Sequence, residues 1–384
     1  MVEPWGAQGQ AVYDYCLCSE LARLGLDLKL VTNELHDRLS FPRDFAVLPL
    51  YNGIRGPHCR ARKGLSYFRS LARLFHAVRA HRPAVVHFQF LVFPPADTLA
   101  IHLIRGLGAR VLLTVHDIFC LDDKIYHVAL VTKAYEAADA LIVHSQWAKG
   151  TLIAATKNRV SANRVHVIPH GNYELVAGSN AIPKAEAKTL LGIDSRDKVV
   201  LFFGSMLPYK GLDTLIEAFP AVVRALPRAR LLVASHPRRG MGDFSRHAAR
   251  IAELDIESRV TTDLRYVPDT EVPSYFHAAD AVALPYKRCY TPGVAHLALS
   301  CGRPVVAMAV GGIPDVIRDG DTGFLAATND AAGFAAALTR ALSDEADAER
   351  AGLRGKELME REHTWPLSAS RTVEAYREAR AEIA

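Results

Sequence analysis

No run of 18 apolar residues occurs in this chain of 384 residues, so no membrane span is expected. The first ten residues lack the basic start and apolar stretch of a signal peptide. The six cysteines form neither a Cys-x-x-Cys pair nor another metal-ligand spacing, which favours a reduced, cytoplasmic protein. Low-complexity tracts are also missing. The length suits two domains of roughly 150–200 residues each.

Short apolar runs alternate with helical patterns along the chain, which predicts parallel sheets built from βαβ units. The runs are almost continuously apolar, which indicates strands buried on both faces. The predicted strands span 28–32, 45–50, 84–90, 110–115, 139–143, 164–168, 198–203, 229–234, 259–262, 281–284 and 304–307. The stretch 169–195, which contains several glycines and prolines, is interpreted as an interdomain linker, and the pattern after 345 is helical.

The chain begins in a glycine loop and not in a strand. A doubly wound domain normally opens with a strand, a glycine loop and a helix. Here the loop 4–10 leads directly into a helix predicted over 11–25, and no strand candidate precedes it. Either the coding start is misplaced or the N-terminal sheet has a gap, and the first interpretation is favoured.

A loop that opens a helix follows the strand 198–203. Gly204 lets the backbone turn, and a helix is predicted from Tyr209. Lys210 then lies in the first helical turn, where a cation is unfavourable unless an anion is also present. The segment is therefore either a phosphate site or an ordinary βα turn with a solvated lysine.

A second such loop lies about 80 residues further on. Thr291 suits the N-cap position, Pro292 suits the first helical position, and Gly293 lets a ligand approach the backbone. A well-capped helix without a ligand has the same pattern. Two helix starts can, however, present free N–H groups to one diphosphate, which points to a nucleotide-sugar enzyme.

Further motifs extend along the chain. They are Thr114-Val-His116-Asp117, Ile168-Pro-His-Gly171-Asn172, Gly204 with Lys210-Gly211, Val267-Pro268, Leu284-Pro-Tyr286, Gly302-Arg-Pro-Val-Val-Ala307, Gly311-Gly-Ile-Pro-Asp315 and Asp319-Gly-Asp-Thr-Gly-Phe-Leu325. Together they make nearly the whole chain similar to retaining GT-B glycosyltransferases of family 4. The resemblance implies an α/β fold with two Rossmann-like doubly wound domains facing a cleft. The predicted domains are 1–178 and 179–364, and the helix 365–384 would pack back on the first domain.

The resemblance also implies a function and a site. The C-terminal domain would hold a nucleotide-diphosphate sugar, and a hexose-type sugar would pass to a hydroxyl acceptor: a glycan, a lipid-linked acceptor or a natural product. His116 matches the catalytic histidine near the reacting carbon, although the residues alone favour a satisfied histidine at a strand end. Tyr266 and Val267 match the backbone that reads the nucleobase. The implied donor-binding positions are Gly9, Gly204, Ser205, Lys210, Tyr266, Val267, Thr291, Pro292, Gly293, Val294 and Leu297.

Three positions depart from the family pattern. Cys289 and Leu297 stand where two glutamates are usual, and neither can accept a hydrogen bond as a carboxylate does. Ser205 replaces an arginine, so one cation for the diphosphate is missing, and Lys287 or Arg288 could supply it.

These departures motivate an alternative, a GT-B pseudo-enzyme that acts as a non-catalytic binding partner. An epimerase would need an acidic pair that cannot be placed. A nicotinamide dehydrogenase is disfavoured because no Gly-x-Gly-x-x-Gly follows a strand.

No metal or other cofactor is expected. Asp122-Asp123 falls in a predicted loop and not at a strand end. Lys210 and the helix dipoles can neutralise a leaving diphosphate by fixed electrostatic stabilisation.

Between Asp44 and Asp97 the chain carries eight basic residues and no acidic one. A helix over 64–79 would place one set of apolar residues on a shared face: Leu65, Phe68, Leu71, Phe75 and Val78. This is either a domain helix with a solvated basic face or, through residues 55–82, a peripheral contact with the inner face of an anionic membrane. Nucleic acid is not expected, because no recognition module is apparent.

Overall fold

The computed structural model describes residues 1–6, 9–33, 42–54, 59–119, 127–178, 182–237 and 244–381. The contacts divide the chain into two units, Met1–Gly171 with His363–Ala384, and Asn172–Glu362. The pair Asp122-Asp123 and residues 55–58 of the basic segment lie outside the described residues. None of the described helices is both long enough and apolar enough to cross a membrane.

The first unit alternates strands with helices. In chain order these are α1 (Gly9–Arg23), β1 (Lys29–Thr32), β2 (Ala46–Pro49), α2 (Arg60–His81), β3 (Val85–Phe88), α3 (Pro94–Gly106), β4 (Arg110–Thr114), α4 (His127–Ala137), β5 (Ala140–Val143), α5 (Gln146–Ala155) and β6 (Val165–Val167). All strand pairs are parallel, in the orders β1-β2 and β3-β4-β5-β6.

The start of the chain joins these two sets of strands. Val2 forms parallel bridges to Val31 of β1 and Phe88 of β3. Its N–H donates to the His87 carbonyl at 2.8 Å, and its carbonyl accepts from the Gln89 N–H at 2.9 Å. The first residues therefore occupy the central strand position for which the sequence offered no candidate. A segment of two or three residues is too short to show an apolar periodicity, so the sequence pattern did not predict a strand here.

The second unit has a six-stranded parallel sheet. Its elements are α6 (Glu174–Ala177), α7 (Lys184–Leu190), β7 (Lys198–Met206), α8 (Leu212–Ala225), β8 (Ala229–Pro237), α9 (Ser245–Glu253), β9 (Val260–Asp263), α10 (Val272–Ala278), β10 (Ala281–Leu284), α11 (Gly293–Ser300), β11 (Val305–Met308), β12 (Phe324–Ala326), α12 (Ala331–Ser343) and α13 (Glu345–Glu362). The strand order is β12-β11-β10-β7-β8-β9. This is the doubly wound order, and it reverses between β7 and β10. In such sheets a ligand crevice lies beyond the carboxyl ends of the two strands at the reversal.

All eleven predicted strands are present. Most of them are apolar runs buried in a parallel sheet, whereas β2 and β9 are only partly buried. The prediction missed β12, which has only three residues. The interpretation of 169–195 as a linker is wrong in its detail. This stretch contains α6 and α7, and α7 packs against α10 within the second unit.

The last helix, α14 (Trp365–Ala381), belongs to the first unit, where it packs against α1. Its Tyr376 hydroxyl lies 2.8 Å from Nδ1 of His87 in β3. At its start the Trp365 ring lies against Gly171, where an added Cβ would come within 2.3 Å of the indole. Glycine at 171 is thus required by the packing of this helix.

The predicted apolar face of α2 is only partly buried. Val78 is buried, whereas Leu65 and Phe68 remain 52% and 54% exposed, and Tyr67 and Leu74, which lie outside the predicted set, are buried. Two apolar stripes run along this helix, and the sequence does not tell which of them meets the core.

Candidate functional site

The two helix-opening loops found in the sequence meet at the reversal between β7 and β10. Gly204 in β7 has a φ of +105°, and a Cβ added there would lie 2.8 Å from Lys210 Nζ and 3.9 Å from Val294 Cγ2. The ammonium group of Lys210 therefore rests against the bare backbone of Gly204, and the first turn of α11 lies beside both. A cation and a helix start at one sheet edge form an arrangement suited to an anion.

Lys210 does not lie in the first turn of an α-helix, as the sequence predicted. It lies in the short 3-10 turn Pro208–Lys210, and α8 begins only at Leu212. Gly211 separates the two with a φ of +72°. An added Cβ at Gly211 would come within 1.9 Å of the Pro285 carbonyl oxygen, so close packing against the loop after β10 sets the turn.

The start of α11 lies one residue later than predicted. Pro292 is the N-cap with a ψ of 67°, and no side chain caps the helix, so Thr291 is not the N-cap. That ψ lies outside the helical region, which makes Gly293 the first helical residue. The Gly293 N–H donates to the Thr291 carbonyl at 3.0 Å, a contact that must open before this N–H can bind a phosphate. Tyr173 Oη, which sequence reasoning missed, lies 3.5 Å from the place of a Cβ on Gly293.

The residues that depart from the family pattern, and the lysine that could replace the missing cation, are buried or already paired. Leu297 and Cys289 are both buried, and the Cys289 carbonyl accepts from the Gly312 N–H at 3.2 Å. Lys287, a candidate for the missing cation, lies 2.6 Å from Asp213 Oδ2. Its charge is therefore already paired.

Two polar pairs lie at the carboxyl end of β7. Ser235 Oγ donates to the Gly204 carbonyl at 2.7 Å, and Ser205 Oγ lies 3.2 Å from His236 Nε2. The ring of Tyr266 meets His236 edge-on at 5.8 Å. Burial, together with the neighbouring Asp269 carboxylate, raises the pKa of Tyr266 to about 12.

The structure therefore gathers five of the predicted donor-binding residues at this edge: Gly204, Ser205, Lys210, Val294 and Tyr266. Val267 is buried, and Gly293 lies beside Tyr173. Pro292 and Leu297 belong to the cap and the buried side of α11. Gly9 and His116 lie in the first unit, with Gly9 at the first position of α1.

A cluster of histidines stands where consecutive strands of the first unit end. His116 follows β4, His144 follows β5 and His170 follows β6. The His144 and His170 rings are 5.3 Å apart, and Tyr13 of α1 lies 4.9 Å from both His116 and His170. The sequence analysis singled out His116 alone. The signal for the others was present, since each histidine follows a predicted strand by one or two residues.

His116 is held on several sides. Its Nε2 lies 3.1 Å from Gln89 Oε1, its Nδ1 lies 3.0 Å from His144 Nε2, and Phe90 stacks on the ring at 4.7 Å. Burial holds the pKa of His116 well below its usual range, and the nearby His144 and His170 lower it further. The ring is therefore neutral near pH 7. In the described part of the chain, no three His, Cys, Asp or Glu side chains are arranged to hold a metal ion.

Comparison with known proteins agrees with this geometry. Residues 7–171 match the family model described as Glycosyltransferase Family 4, and residues 197–344 match the model described as Glycosyl transferases group 1. The chain belongs to this family of glycosyltransferases. Its two Rossmann-like units are those of the GT-B fold.

Among curated relatives of this glycosyltransferase is the D-inositol 3-phosphate glycosyltransferase of Mycobacterium marinum. The two are 34% identical over 221 residues, which is 56% of this chain and 45% of the relative. The enzyme of that name from Corynebacterium glutamicum is 31% identical over 63% of this chain and 58% of its own length. The matched part thus spans about half the length of these relatives.

Solved structures with the same fold include the sucrose-phosphate synthase of Thermosynechococcus elongatus. Its TM-score is 0.77 at 21% identity, with 99% of this chain and 96% of that chain covered. The HepE protein of Anabaena in complex with UDP-glucose has a TM-score of 0.76 at 17% identity, with 98% of each chain covered.

Proposed function

We propose that this glycosyltransferase transfers a hexose-type sugar from a nucleotide-diphosphate donor to an acceptor hydroxyl, with retention of the anomeric configuration. The meeting of Lys210 Nζ, Gly204 and Val294 at the reversal of the second sheet carries the proposal. Gly204 leaves room for the ammonium group of Lys210, which supplies a positive charge, and the start of α11 supplies a partial positive charge. This set of groups suits a diphosphate that gains charge as it leaves.

In the proposed reaction the bond between the anomeric carbon and the diphosphate oxygen breaks, and the acceptor oxygen bonds to that carbon on the same face. The acceptor proton passes to the departing phosphate oxygen. Lys210 neutralises the charge that develops on the phosphate. His116 orients the donor sugar near the reacting carbon, a role suited to its neutral ring.

The fixed charges of the second unit support a reaction without a metal. Lys210 and the start of α11 lie at this sheet edge before the donor binds, so only the contact between the Gly293 N–H and the Thr291 carbonyl has to open. We expect turnover to be unchanged by excess EDTA and by added Mg²⁺. A loss of turnover with EDTA that Mg²⁺ restores would disprove metal independence.

Binding of the donor is tested first by thermal shift with UDP, GDP, ADP and dTDP and their common sugars. Selective stabilisation by one diphosphate supports the donor site and identifies the base. Transfer to hydroxyl acceptors is then assayed with that donor, and D-inositol 3-phosphate is included because the curated relatives carry its name. Retention is read from the anomeric proton coupling of the product. If no diphosphate binds a folded sample, the proposed function is wrong.

The non-catalytic alternative finds no support among the relatives, which are named as glycosyltransferases. The buried Cys289 and Leu297 alter the donor site without removing Lys210 or the start of α11. The site therefore keeps the groups on which the proposed chemistry depends.

We also propose peripheral contact with an anionic membrane through α2. This helix exposes Leu65 and Phe68 next to the exposed arginines Arg62, Arg69 and Arg73. Phe93 adds a partly exposed ring 6.5 Å from Phe68. Apolar side chains flanked by cations suit the interface of an acidic bilayer.

Co-sedimentation with phosphatidylglycerol vesicles should show binding, and phosphatidylcholine vesicles should not. The double variant L65S/F68S should lose most of this binding. Equal binding to both kinds of vesicle, or no effect of the double variant, would contradict the proposal.

A further inference from the structure

A tyrosine of the loop after β10 lies beside the cation of the donor edge. Lys210 Nζ stands over the ring of Tyr286, 5.8 Å from the ring centroid. A cation within about 6 Å of an aromatic centroid is attracted by the negative face of the ring. The same ammonium group rests against Gly204. Lys210 Nζ is thus bordered by a glycine backbone and by an aromatic face.

We propose that Tyr286 is a positioning residue, whose ring face holds the ammonium group of Lys210 in place for the donor diphosphate. Tyr286 itself does not contact the donor and acts only through Lys210. The inference rests on the proposed function, and it gives a role to a residue that the sequence motifs include without assigning it one.

The loop that carries the ring is fixed against the 3-10 turn that carries the lysine. Gly211 ends this turn and packs against Pro285 so closely that an added Cβ would come within 1.9 Å of the Pro285 carbonyl oxygen. The Lys287 N–H donates to the Tyr209 carbonyl at 2.7 Å. The residues on both sides of Tyr286 are therefore held by the two neighbours of the lysine.

The ring offers a fixed surface to a flexible side chain. Tyr286 is buried, and the Tyr209 ring meets it edge-on with the centroids 6.4 Å apart. A lysine side chain has many rotamers, and fixing it on binding costs entropy. Because the ring holds Lys210 before the donor arrives, part of this cost no longer falls on donor binding.

A neutral ring holds a cation without cancelling its charge. The Lys287 ammonium group, in contrast, lies 2.6 Å from Asp213 Oδ2, so a carboxylate neutralises it. Burial raises the pKa of Tyr286 well above its usual range, so the phenol is neutral near pH 7. The contact with the ring therefore leaves the charge of Lys210 to act on a diphosphate.

The test measures affinity for whichever diphosphate among UDP, GDP, ADP and dTDP stabilises the wild type most. Isothermal titration compares Y286F, which keeps the ring, with Y286L, which replaces the ring by an aliphatic side chain. We expect Y286F to bind as the wild type does, since phenylalanine also presents a negative face to a cation. Y286L should bind roughly 3- to 10-fold more weakly, the cost of ordering one long side chain on binding.

The double variant Y286L/K210A separates positioning from structural support. If Tyr286 acts through Lys210, Y286L costs nothing further once Lys210 is alanine. An equal loss in both backgrounds, or wild-type affinity in Y286L, would overturn the inference. The control Y51L removes a fully buried tyrosine ring of the first unit and should leave affinity unchanged, whatever it costs in stability.

A measurement on the folded wild type decides the matter if Y286L does not fold. In protein labelled with ¹³C at the lysine Cε atoms, the Lys210 signal is identified by its loss in K210A. The protons of this carbon should lie upfield of those of the exposed lysines, because the ring current of Tyr286 shields them. A Lys210 signal within the range of the exposed lysines would contradict the inference.

The variant K210A keeps this test apart from that of the proposed function. If K210A weakens binding and Y286L does not, only the role of Tyr286 is wrong. If the wild type itself binds none of the four diphosphates, the proposed donor site is wrong.

Discussion

His144 determines which ring nitrogen of His116 carries the proton. His144 Nδ1 lies 3.0 Å from the Ile168 carbonyl oxygen, and its Nε2 lies 3.0 Å from His116 Nδ1. A carbonyl only accepts, so His144 Nδ1 carries a proton and, in the neutral ring, Nε2 accepts. His116 Nδ1 must then donate, which leaves its Nε2 with a lone pair. In the structure Gln89 presents Oε1 to this nitrogen and donates from Nε2 to Met1 Sδ, so this tautomer requires the oxygen and nitrogen of the Gln89 amide to be exchanged.

Replacing His144 with phenylalanine should release the tautomer of His116. In the wild type, ¹⁵N spectra of labelled histidine should show His116 protonated at Nδ1 and unprotonated at Nε2. In H144F the two nitrogens should report a mixture of tautomers, because the acceptor at Nδ1 is gone. The control variant H170F removes the ring of His170, whose Nδ1 bonds to the Gly171 carbonyl. This variant should leave the tautomer of His116 unchanged. An unchanged His116 signal in H144F would contradict the tautomer assignment.

Replacing His116 with alanine should affect turnover more than donor binding. The ring lies in the first unit, whereas the proposed diphosphate contacts lie in the second. We expect kcat to fall roughly 100-fold, as when a substrate is misplaced by about 1 Å. Affinity for the nucleoside diphosphate should stay within about 2-fold. Steady-state kinetics and titration calorimetry measure the two quantities, and near-normal turnover would reject the catalytic role.

Replacing Lys210 with alanine should weaken diphosphate binding. Its ammonium group is the cation that rests against Gly204, and a lost hydrogen bond to a charged group corresponds to roughly 10- to 100-fold in affinity. Lys287 provides the control, since it lies in the neighbouring loop but is paired with Asp213. K287A should therefore change affinity by much less. Calorimetry with the preferred diphosphate decides, and equal losses in the two variants would show that Lys210 has no special place.

The sequence predicted the strands well because most of them are buried apolar runs, and it predicted two loops with glycine and lysine that meet at the reversal of the second sheet. It could not reveal pairs that depend on sheet register. Ser205 and His236 are 31 residues apart, and only the alignment of β7 with β8 brings them together. The predicted apolar face of α2 is only partly buried for a related reason. Both stripes of that helix have helical spacing, and the tertiary partner decides between them.

Replacing Gly204 with alanine should disturb both stability and binding. A side chain is strained at a φ of +105°, and the new Cβ would come within 2.8 Å of Lys210 Nζ. We expect a loss of about 1–3 kcal/mol in the free energy of unfolding. Diphosphate affinity should also fall, because Lys210 must move. The matched control is G150A in α5, where a Cβ meets nothing within 4 Å and alanine favours the helix. Denaturant unfolding of both variants is the measurement, and wild-type stability in G204A would contradict the expected strain.

The buried histidines should make the first unit less stable in mild acid. Burial, aided by the positive charges of the amino terminus and His144, lowers the pKa of His87 to about 3. Burial, aided by the charge of His144, also lowers the pKa of His170 to about 3. In the unfolded chain both titrate near their ordinary pKa of about 6.5. Between these values the unfolded chain binds protons that the folded chain excludes, so the free energy of unfolding falls as the pH falls.

The loss should begin as the pH drops through about 6.5 and cease to grow near pH 3, with a limiting slope of about 1.4 kcal/mol per pH unit for each histidine. Urea unfolding between pH 5 and 7 measures this slope. Burial raises the pKa of Asp97 to about 7, so this carboxyl contributes a slope of opposite sign that is common to the wild type and the variants. H170Q should reduce the slope, whatever its cost at pH 7, because one excluded proton is removed. H76Q, which changes an exposed histidine on α2, is the control for the loss of one histidine. If the slope in H170Q equals that of the wild type, then His170 already binds its proton in the folded protein.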